Sequence, residues 1–434
     1  MNICIFEDAQ VINLTPVNDL RHSSELICGV FSLSEKTANI FPSKKHRFTL
    51  HVRKQLEQYC AEKFPDRKIN SLHSGNTLFL NSRIIYNKNF IEGLLLNITD
   101  FQNTVFLDKK TITAFYCTAD KINQVRKIIE SPSGNNLVSL HEIKKLRLKE
   151  IQISDLDPDI EEELIFINYP SDLILYHEDE IAGDLSLLFK KRKPTNPAKY
   201  RAQLINKKGI HISPNCNINP NTVLDASNGN IYISGGVTIE PFSYIAGPVY
   251  IGTNSTVKAG SKLYGPLRIG EHCKVSGEIT SSIIHSYFNK QHHGFLGHSY
   301  LCEWVNLGAG TTTSNLKNNY SKITLKLKGK TINTGSIFLG SIIGDHTKTG
   351  INTMLNTGTT IGISSNIFGG GYHSKNIPPF SWADAQSGTN VKYDFDKAVN
   401  TAKISMKRRN VVMSKAYENI MLYYYKRTGR GIPN

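Results

Sequence analysis

Between Ile233 and Val275 an aliphatic residue returns at every sixth position, and this regularity restricts the possible folds more than any other feature of the chain. The positions are Ile233, Ile239, Ile245, Ile251, Val257, Leu263, Ile269 and Val275. Ile212, Ile218 and Leu224 keep the spacing upstream, ahead of an insertion, DASNGN. It resumes at Leu301 and Leu307, then at Ile337, Ile343, Leu355, Ile361 and Ile367, with Thr349 in the one polar slot. A period of six fits neither an amphipathic helix nor an alternating strand. It fits a three-sided coil in which each side takes six residues and points one aliphatic group inward. Stacked coils then pair their strands in parallel and bury a continuous column. Glycine follows the aliphatic residue at Gly252, Gly270, Gly308, Gly344 and Gly362, where it is expected to supply the tight corner. The expected architecture over residues 205–375 is a left-handed parallel β-helix.

Two stretches break the period. SSIIHSYFNKQHHGFLGHSY (281–300) reads as a polar, histidine-rich excursion, and SNLKNNYSKITLKLKGKTI (314–332) as a basic insertion. Insertions project from a solenoid and commonly build its binding site. Residues 1–195 read as a mixed α/β domain with short apolar strands at Ile3–Phe6, Leu78–Leu80 and Leu164–Ile167. Phe48, Val52, Leu56 and Tyr59 have roughly helical spacing, which predicts a helix over Lys45–Lys63. Neither GxGxxG nor GxxxxGK[ST] is present, so motif chemistry assigns no catalysis to this half. The basic, proline-containing KKRKPTNPAKY (190–200) is the natural linker. Residues 376–434 are expected to form a helical tail that caps the open end of the coil.

The net charge of +15 raises the question of nucleic acid, whose binders gather basic and aromatic residues on one surface. Here lysine and arginine are dispersed, and the clusters at Lys190–Lys193 and Lys407–Arg409 lack interleaved aromatics. Attraction of anionic phosphorylated substrates is the better use of the charge, and no nucleic-acid partner is expected. No run of residues is apolar enough for a membrane span, and the start has no basic-then-apolar leader. Seven scattered cysteines, none spaced CxxC, fit reduced thiols and a cytoplasmic location.

Several stretches carry a resemblance. GPLRIGEHCKVSGEI, NKQHHGFLGHSYLCEWVNLGAGTTTSNLKNNY and GDHTKTGINTMLNTGTTIG followed by NIFGGG lie in the second half; the shorter LTPVNDLRHSSELICG and YPSDLILYHEDEI lie in the first. Together they resemble the Bacteroidetes-type sugar nucleotidyltransferases, which are related to the bifunctional N-acetylglucosamine-1-phosphate uridylyltransferase/glucosamine-1-phosphate acetyltransferase. The resemblance implies a nucleotidyltransferase-like α/β domain ahead of the β-helix, and an enzyme of sugar-nucleotide biosynthesis. The β-helix would transfer an acyl group from acetyl-CoA to an amino sugar phosphate. The first domain would transfer uridylyl, using UTP and Mg²⁺. A homotrimer is implied as well, because hexapeptide acyltransferases of this type place coenzyme A between neighbouring prisms.

Within that resemblance His292 matches the general base at the head of a His-x-x-Tyr-x-Gly segment, which takes a proton from the sugar amine; an imidazole of pKa near 6.5 suits that task. Asn306 and Asn315 match sugar contacts, and amides donate and accept at once; an asparagine ladder within the solenoid is the plainer alternative. Ala309 and Ser341 match the coenzyme A groove, where small side chains leave room for pantetheine, although a coil corner would demand the same. Phe295 stands for the expected tyrosine and Thr280 for an acceptor-side lysine, which leaves the acceptor sugar open. Upstream, the family's Arg-Pro-x-x-Asp-x-Arg-x-Gly stretch keeps Arg21, Glu25 and Gly29 but has His22 and Ile27. Arg21 is then a phosphate contact by fold-level analogy, or a member of a surface salt bridge. Asp19, Asp108 and Asp172 are unranked candidates for a metal. Two other readings stay open: a nucleotidyltransferase whose β-helix only trimerises it, and a non-catalytic trimer that binds a sugar nucleotide.

Overall fold

The computed structural model describes residues 1–41, 46–129, 135–156, 164–190 and 200–428; residues 191–199 of the expected linker lie outside them. From Gln203 onward short strands stack on three faces. One face runs through Gln203–Ile205, Val223–Asp225, Tyr244–Ala246, Lys262–Tyr264, Glu278–Thr280 and Phe295–Gly297. Corresponding residues of successive coils pair in parallel, as in Ile233 with Ile251 and Ile251 with Ile269. The eight residues at the spacing of six are all fully buried, and they form one continuous core with their counterparts in later coils. The chain is a parallel β-helix here because period and pairing reinforce each other: each aliphatic side chain packs against those one coil above and below.

The glycines that follow the aliphatic residues have a different role from the one expected. None of Gly252, Gly270, Gly308, Gly344 and Gly362 has a positive φ. A Cβ on Gly252 would lie 2.5 Å from the carbonyl carbon of Gly270, and one on Gly270 would lie 2.6 Å from that of His285. These glycines let one coil approach the next. The left-handed corner comes two residues later, at Asn254, His272, His346 and Ser364. There His272, Tyr287, Trp304 and His346 stack in a column with interplanar angles of 4° to 6°.

Residues 281–300 are no excursion. Ile279, Ile284, Lys290, Leu296 and Leu301 occupy successive inward slots, paired with Leu263, Ile269, Val275, Ile279 and Ile284 of the previous coil. The coil continues, but with steps of four and five residues, and a lysine fills one slot. The true departure is 314–340, where Thr324–Leu327 and Lys330–Asn333 form an antiparallel hairpin. Ile337 lies on the way back from it and is 38% exposed, so it belongs to the hairpin's return and not to the column.

The amino-terminal domain holds a sheet in the order Lys68–Ile69, Arg47–His51, Asn2–Phe6, Thr77–Asn81, Thr111–Cys117, Thr104–Asp108, Lys149–Gln152. The first four strands are parallel, and Thr111–Cys117 runs against both its neighbours. The helix expected over Lys45–Lys63 forms only at Glu57–Lys63. Arg47–His51 is a strand instead, because burial between two parallel neighbours overrides weak helical spacing. Leu164–Ile167 contributes a two-residue pairing with Ile84–Ile85, outside this sheet.

The two halves share their cores. Val11, Leu14, Val17, Leu26 and Ile27 pack with Ile283, Tyr300 and Ile342 of the β-helix and with Ile323, Leu325 and Leu327 of the hairpin. The tail helices Phe395–Lys407 and Lys415–Arg427 do not simply cap the coil. They lie against Leu50, Leu56 and Cys60 on one side and Trp304, Ile363 and Phe380 on the other, and so bind domain to solenoid. Among the described residues no helix is long and apolar enough to cross a membrane.

Candidate active site

The corner that carries His292 follows the strand Asn289–Lys290. The chain turns through His292 and His293 to Gly294, whose φ of +123° only glycine adopts readily. The next coil lies directly on this turn: the amide of Gly310 donates to the carbonyl of His293 at 3.2 Å. Above that, the amide of Asn352 donates to the carbonyl of Ala309 at 2.7 Å. His292, Ala309 and Asn352 therefore share one edge of the prism. The His292 side chain is exposed and Ala309 is half-buried.

Beneath the turn lies a residue that the reading of the sequence did not single out. Lys290 is fully buried in an inward slot, and its Nζ donates to the carbonyls of His292 at 2.8 Å and His293 at 2.9 Å. Burial brings its pKa down to about 8. The signal was in the spacing, since Lys290 lies six residues from both Ile284 and Leu296.

From Gly294 the strand Phe295–Gly297 leads to the next edge, where His298 takes a left-handed φ of +47°. The Asn315 amide donates to Nδ1 of His298 at 2.8 Å, which leaves the ring proton on Nε2. Burial brings the His298 pKa down to about 4, so the ring is neutral. Phe338 stacks on it at 4.8 Å. A Cβ on Gly297 would lie 2.7 Å from Asn315 Nδ2 and 2.6 Å from the Phe295 ring, so these three groups are in contact. Asn306 is half-buried and accepts from Nδ2 of Asn289 at 2.5 Å, a two-membered amide ladder across adjacent coils. Thr280 pairs with Gly297 one coil below. His292, Ala309, Asn306 and Asn315 thus lie on successive coils in the middle of the stack, along two edges joined by Phe295–Gly297.

The other two candidates lie elsewhere. Ser341 is fully buried: its amide donates to Ser299 Oγ at 2.9 Å, and it pairs with Thr359 of the next coil. The adjacent Ile342 packs against the amino-terminal domain. Arg21 is not at an open phosphate site. It is 3% exposed, ion-paired with Asp345 and 3.6 Å from Glu303 of the β-helix. It also donates to the carbonyl of Val17 at 2.7 Å. Burial keeps the Asp345 pKa up at about 6 despite Arg21.

In the amino-terminal domain the chain leaves Asn2–Phe6 where its neighbours lie on opposite sides, the usual place for a ligand crevice. Here that edge is filled by its own charges. Glu7 accepts from Arg53 Nε at 3.0 Å and from the amide of Ser23 at 2.9 Å. Burial pushes the Glu7 pKa up, but Arg53 and His22 bring it down to about 2. Asp8 accepts from Arg83 at 2.7 and 2.6 Å. Asp19 is buried beside Thr15, and Asp172 accepts the amides of Asn168 and Tyr169 that open its helix. Asp108 ends a strand. These carboxylates are committed to internal partners or dispersed, and among the described residues no group of three or more His, Cys, Asp or Glu is placed to hold a metal.

Residues 3–193 match the family described as sugar nucleotidyl transferase. A bifunctional sugar-1-phosphate nucleotidylyltransferase/acetyltransferase of Sulfurisphaera tokodaii is 34% identical over 102 residues, 24% of this chain and 25% of that protein. The bifunctional protein GlmU of Synechococcus elongatus is 33% identical over 178 residues, 41% and 34% of the two chains. That of Methanococcus vannielii is 36% identical over 90 residues, 21% and 22%. The alignments therefore span between 22% and 34% of these relatives' lengths. Among solved structures, an Arabidopsis UDP-N-acetylglucosamine acyltransferase aligns at 13% identity over 49% of this chain and 77% of that one. Its TM-score of 0.26 is too low to support any inference. Residues 3–193 thus match the sugar nucleotidyl transferase family, and parts of the chain are similar to bifunctional GlmU-type nucleotidyltransferase/acetyltransferases.

Proposed function

We propose that this chain is a transferase of sugar-nucleotide biosynthesis whose β-helix moves an acetyl group from acetyl-CoA to an amino sugar phosphate. The observation that carries this reading is the exposed His292 imidazole at a coil corner, on the same edge as Ala309 and one strand away from Asn315. In the reaction the sugar amine attacks the thioester carbonyl and His292 takes the proton that the amine loses. The tetrahedral intermediate collapses with cleavage of the carbon–sulfur bond, and the thiolate leaves as coenzyme A once protonated. Asn306 and Asn315 hold the sugar phosphate by exchanging their present partners, the Asn289 amide and the His298 ring, for its hydroxyls. The small Ala309 leaves room for the pantetheine arm.

The active assembly is a homotrimer. Ile351 and Tyr372 are 74% and 65% exposed on the coils that continue the His292 edge, apolar surface that a neighbouring chain would cover. Nucleotidyl transfer to a sugar phosphate, with UTP as donor, belongs to the amino-terminal domain. Asp19 and Asp172 there already have internal partners, and Asp108 stands apart from them. A scaffold reading has one observation in its favour: Asn306 and Asn315 both have internal partners. Release of free thiol from acetyl-CoA in the presence of glucosamine-1-phosphate and other amino sugar phosphates separates the two. Acceptor-dependent release supports the transferase, and no release with any acceptor supports the scaffold.

A further inference from the structure

A lysine inside the aliphatic column calls for an explanation. Lys290 faces Val275 directly, in a column whose other inward residues are mostly apolar, with Thr349 an exception. Removing an ammonium from water is costly, and an apolar residue of similar length would fill the slot more cheaply. The side chain has no carboxylate partner among its described contacts. It spends its protons on two consecutive backbone carbonyls, those of His292 and His293, at 2.8 and 2.9 Å. Those carbonyls belong to the turn that projects His292. The same turn is held from above by the amide of Gly310, and a Cβ on Gly294 would lie 3.1 Å from Nζ, so the lysine closes its inner side.

We propose that Lys290 is a positioning residue: its buried ammonium clamps the 292–294 turn from inside the coil and so fixes where the His292 imidazole stands. This rests on the acyl-transfer reading of His292. A base must sit within hydrogen-bond reach of the proton it takes, and a turn of exposed residues with glycine at its end does not hold one place unaided. The clamp accepts a stability cost in exchange for that placement.

The test compares Lys290→Met with wild type in the full chain, reading apparent Tm, hydrogen exchange of peptides covering 289–297 and 307–313, and the kcat and KM of thiol release. Met keeps the stem and removes the donors, so Tm should stay level or rise. Exchange at the two turns should quicken about tenfold or more. The kcat should fall about a hundredfold, as for a misplaced catalytic group, with KM for acetyl-CoA within about twofold. Lys290→Gln, which keeps a donor, should lie between the two, and it is read alone if the Met variant does not fold. Unchanged exchange overturns the clamp whatever the activity does, because that arm needs no turnover. Faster exchange with unchanged kcat overturns its positioning role. Faster exchange in a chain whose wild type releases no thiol would show that the clamp is real and that the acyl-transfer reading has failed.

Discussion

Replacing Gly270 with alanine adds one methyl group where two coils meet, and its consequence can be worked out from distances. The new Cβ would lie 2.6 Å from both the carbonyl carbon of His285 and the amide nitrogen of Ser286, where ordinary contact begins at 3.4 Å. The coils must part locally by about 0.8 Å out of a strand spacing of about 4.8 Å. The neighbouring bond from the Gly270 amide to the carbonyl of Ile284, now 2.9 Å, would stretch beyond useful range. Losing it costs about 1 kcal/mol, and overpacking against backbone that cannot rotate away adds about 1–3 kcal/mol. Against this, Gly→Ala at a position without positive φ stiffens the unfolded chain and returns about 0.4–1 kcal/mol. The net expectation is a loss of about 1–3 kcal/mol. Gly370→Ala is the control, since it has no positive φ and nothing within 4 Å of its Cβ, and it should be neutral or slightly stabilising. Urea titrations followed by circular dichroism would compare the three proteins. A Gly270→Ala protein as stable as wild type would refute the claim that these glycines serve coil stacking.

Other expectations follow from the buried charges. Arg21→Met leaves Asp345 without its counter-ion and should cost about 3–5 kcal/mol. Arg21→Met combined with Asp345→Asn should recover more than about 1 kcal/mol of that in a double-mutant cycle, whereas strictly additive losses would deny the ion pair. On acidification, His51 and His177 are held by burial down to about 4 and 3. Their folded pKa values lie below the unfolded ones, so stability is lost as pH falls below about 6.5. Asp345, held up at about 6, opposes with one proton over the range from 6 down to its ordinary value. From these three groups the balance is a loss of about 1.4 kcal/mol per pH unit near pH 5, checked by urea midpoints at pH 7, 6 and 5. A midpoint that does not move over that range contradicts the neutral burial of these rings.

The β-helix was legible because its period is enforced by burial: each inward slot needs an apolar group, and the slots recur at fixed intervals. Legibility stopped where the corners shorten. Val275, Ile279 and Ile284 are four and five residues apart, and the next slot holds Lys290, so residues 281–300 looked like an excursion although the coil runs through them. Ile337 failed in the opposite sense, since it kept the spacing by coincidence on the return from the hairpin. Glycine after an aliphatic residue could be read as significant but not for the right reason, because a close approach between coils is a long-range fact. Of the candidate site residues, His292, Asn306, Asn315 and Ala309 lie on successive coils in the middle of the stack. Arg21 and Ser341 were read from local resemblance alone; Arg21 meets Asp345 and Glu303 of the other half of the chain, and Ser341 meets Ser299 and Thr359 of neighbouring coils. His298 went unread because its partners, Asn315 and Phe338, lie far along the chain, and Lys290 because a lysine in an inward slot hides the period.

The central claim is that the His292 corner performs acyl transfer. The most direct measurement is thiol release from acetyl-CoA with glucosamine-1-phosphate, for wild type and His292→Ala side by side. The account predicts acceptor-dependent release by wild type and a loss of about a hundredfold or more in the variant, the worth of a general base. Equal rates in the two proteins, or silence of wild type with this and every other amino sugar phosphate tried, would contradict it.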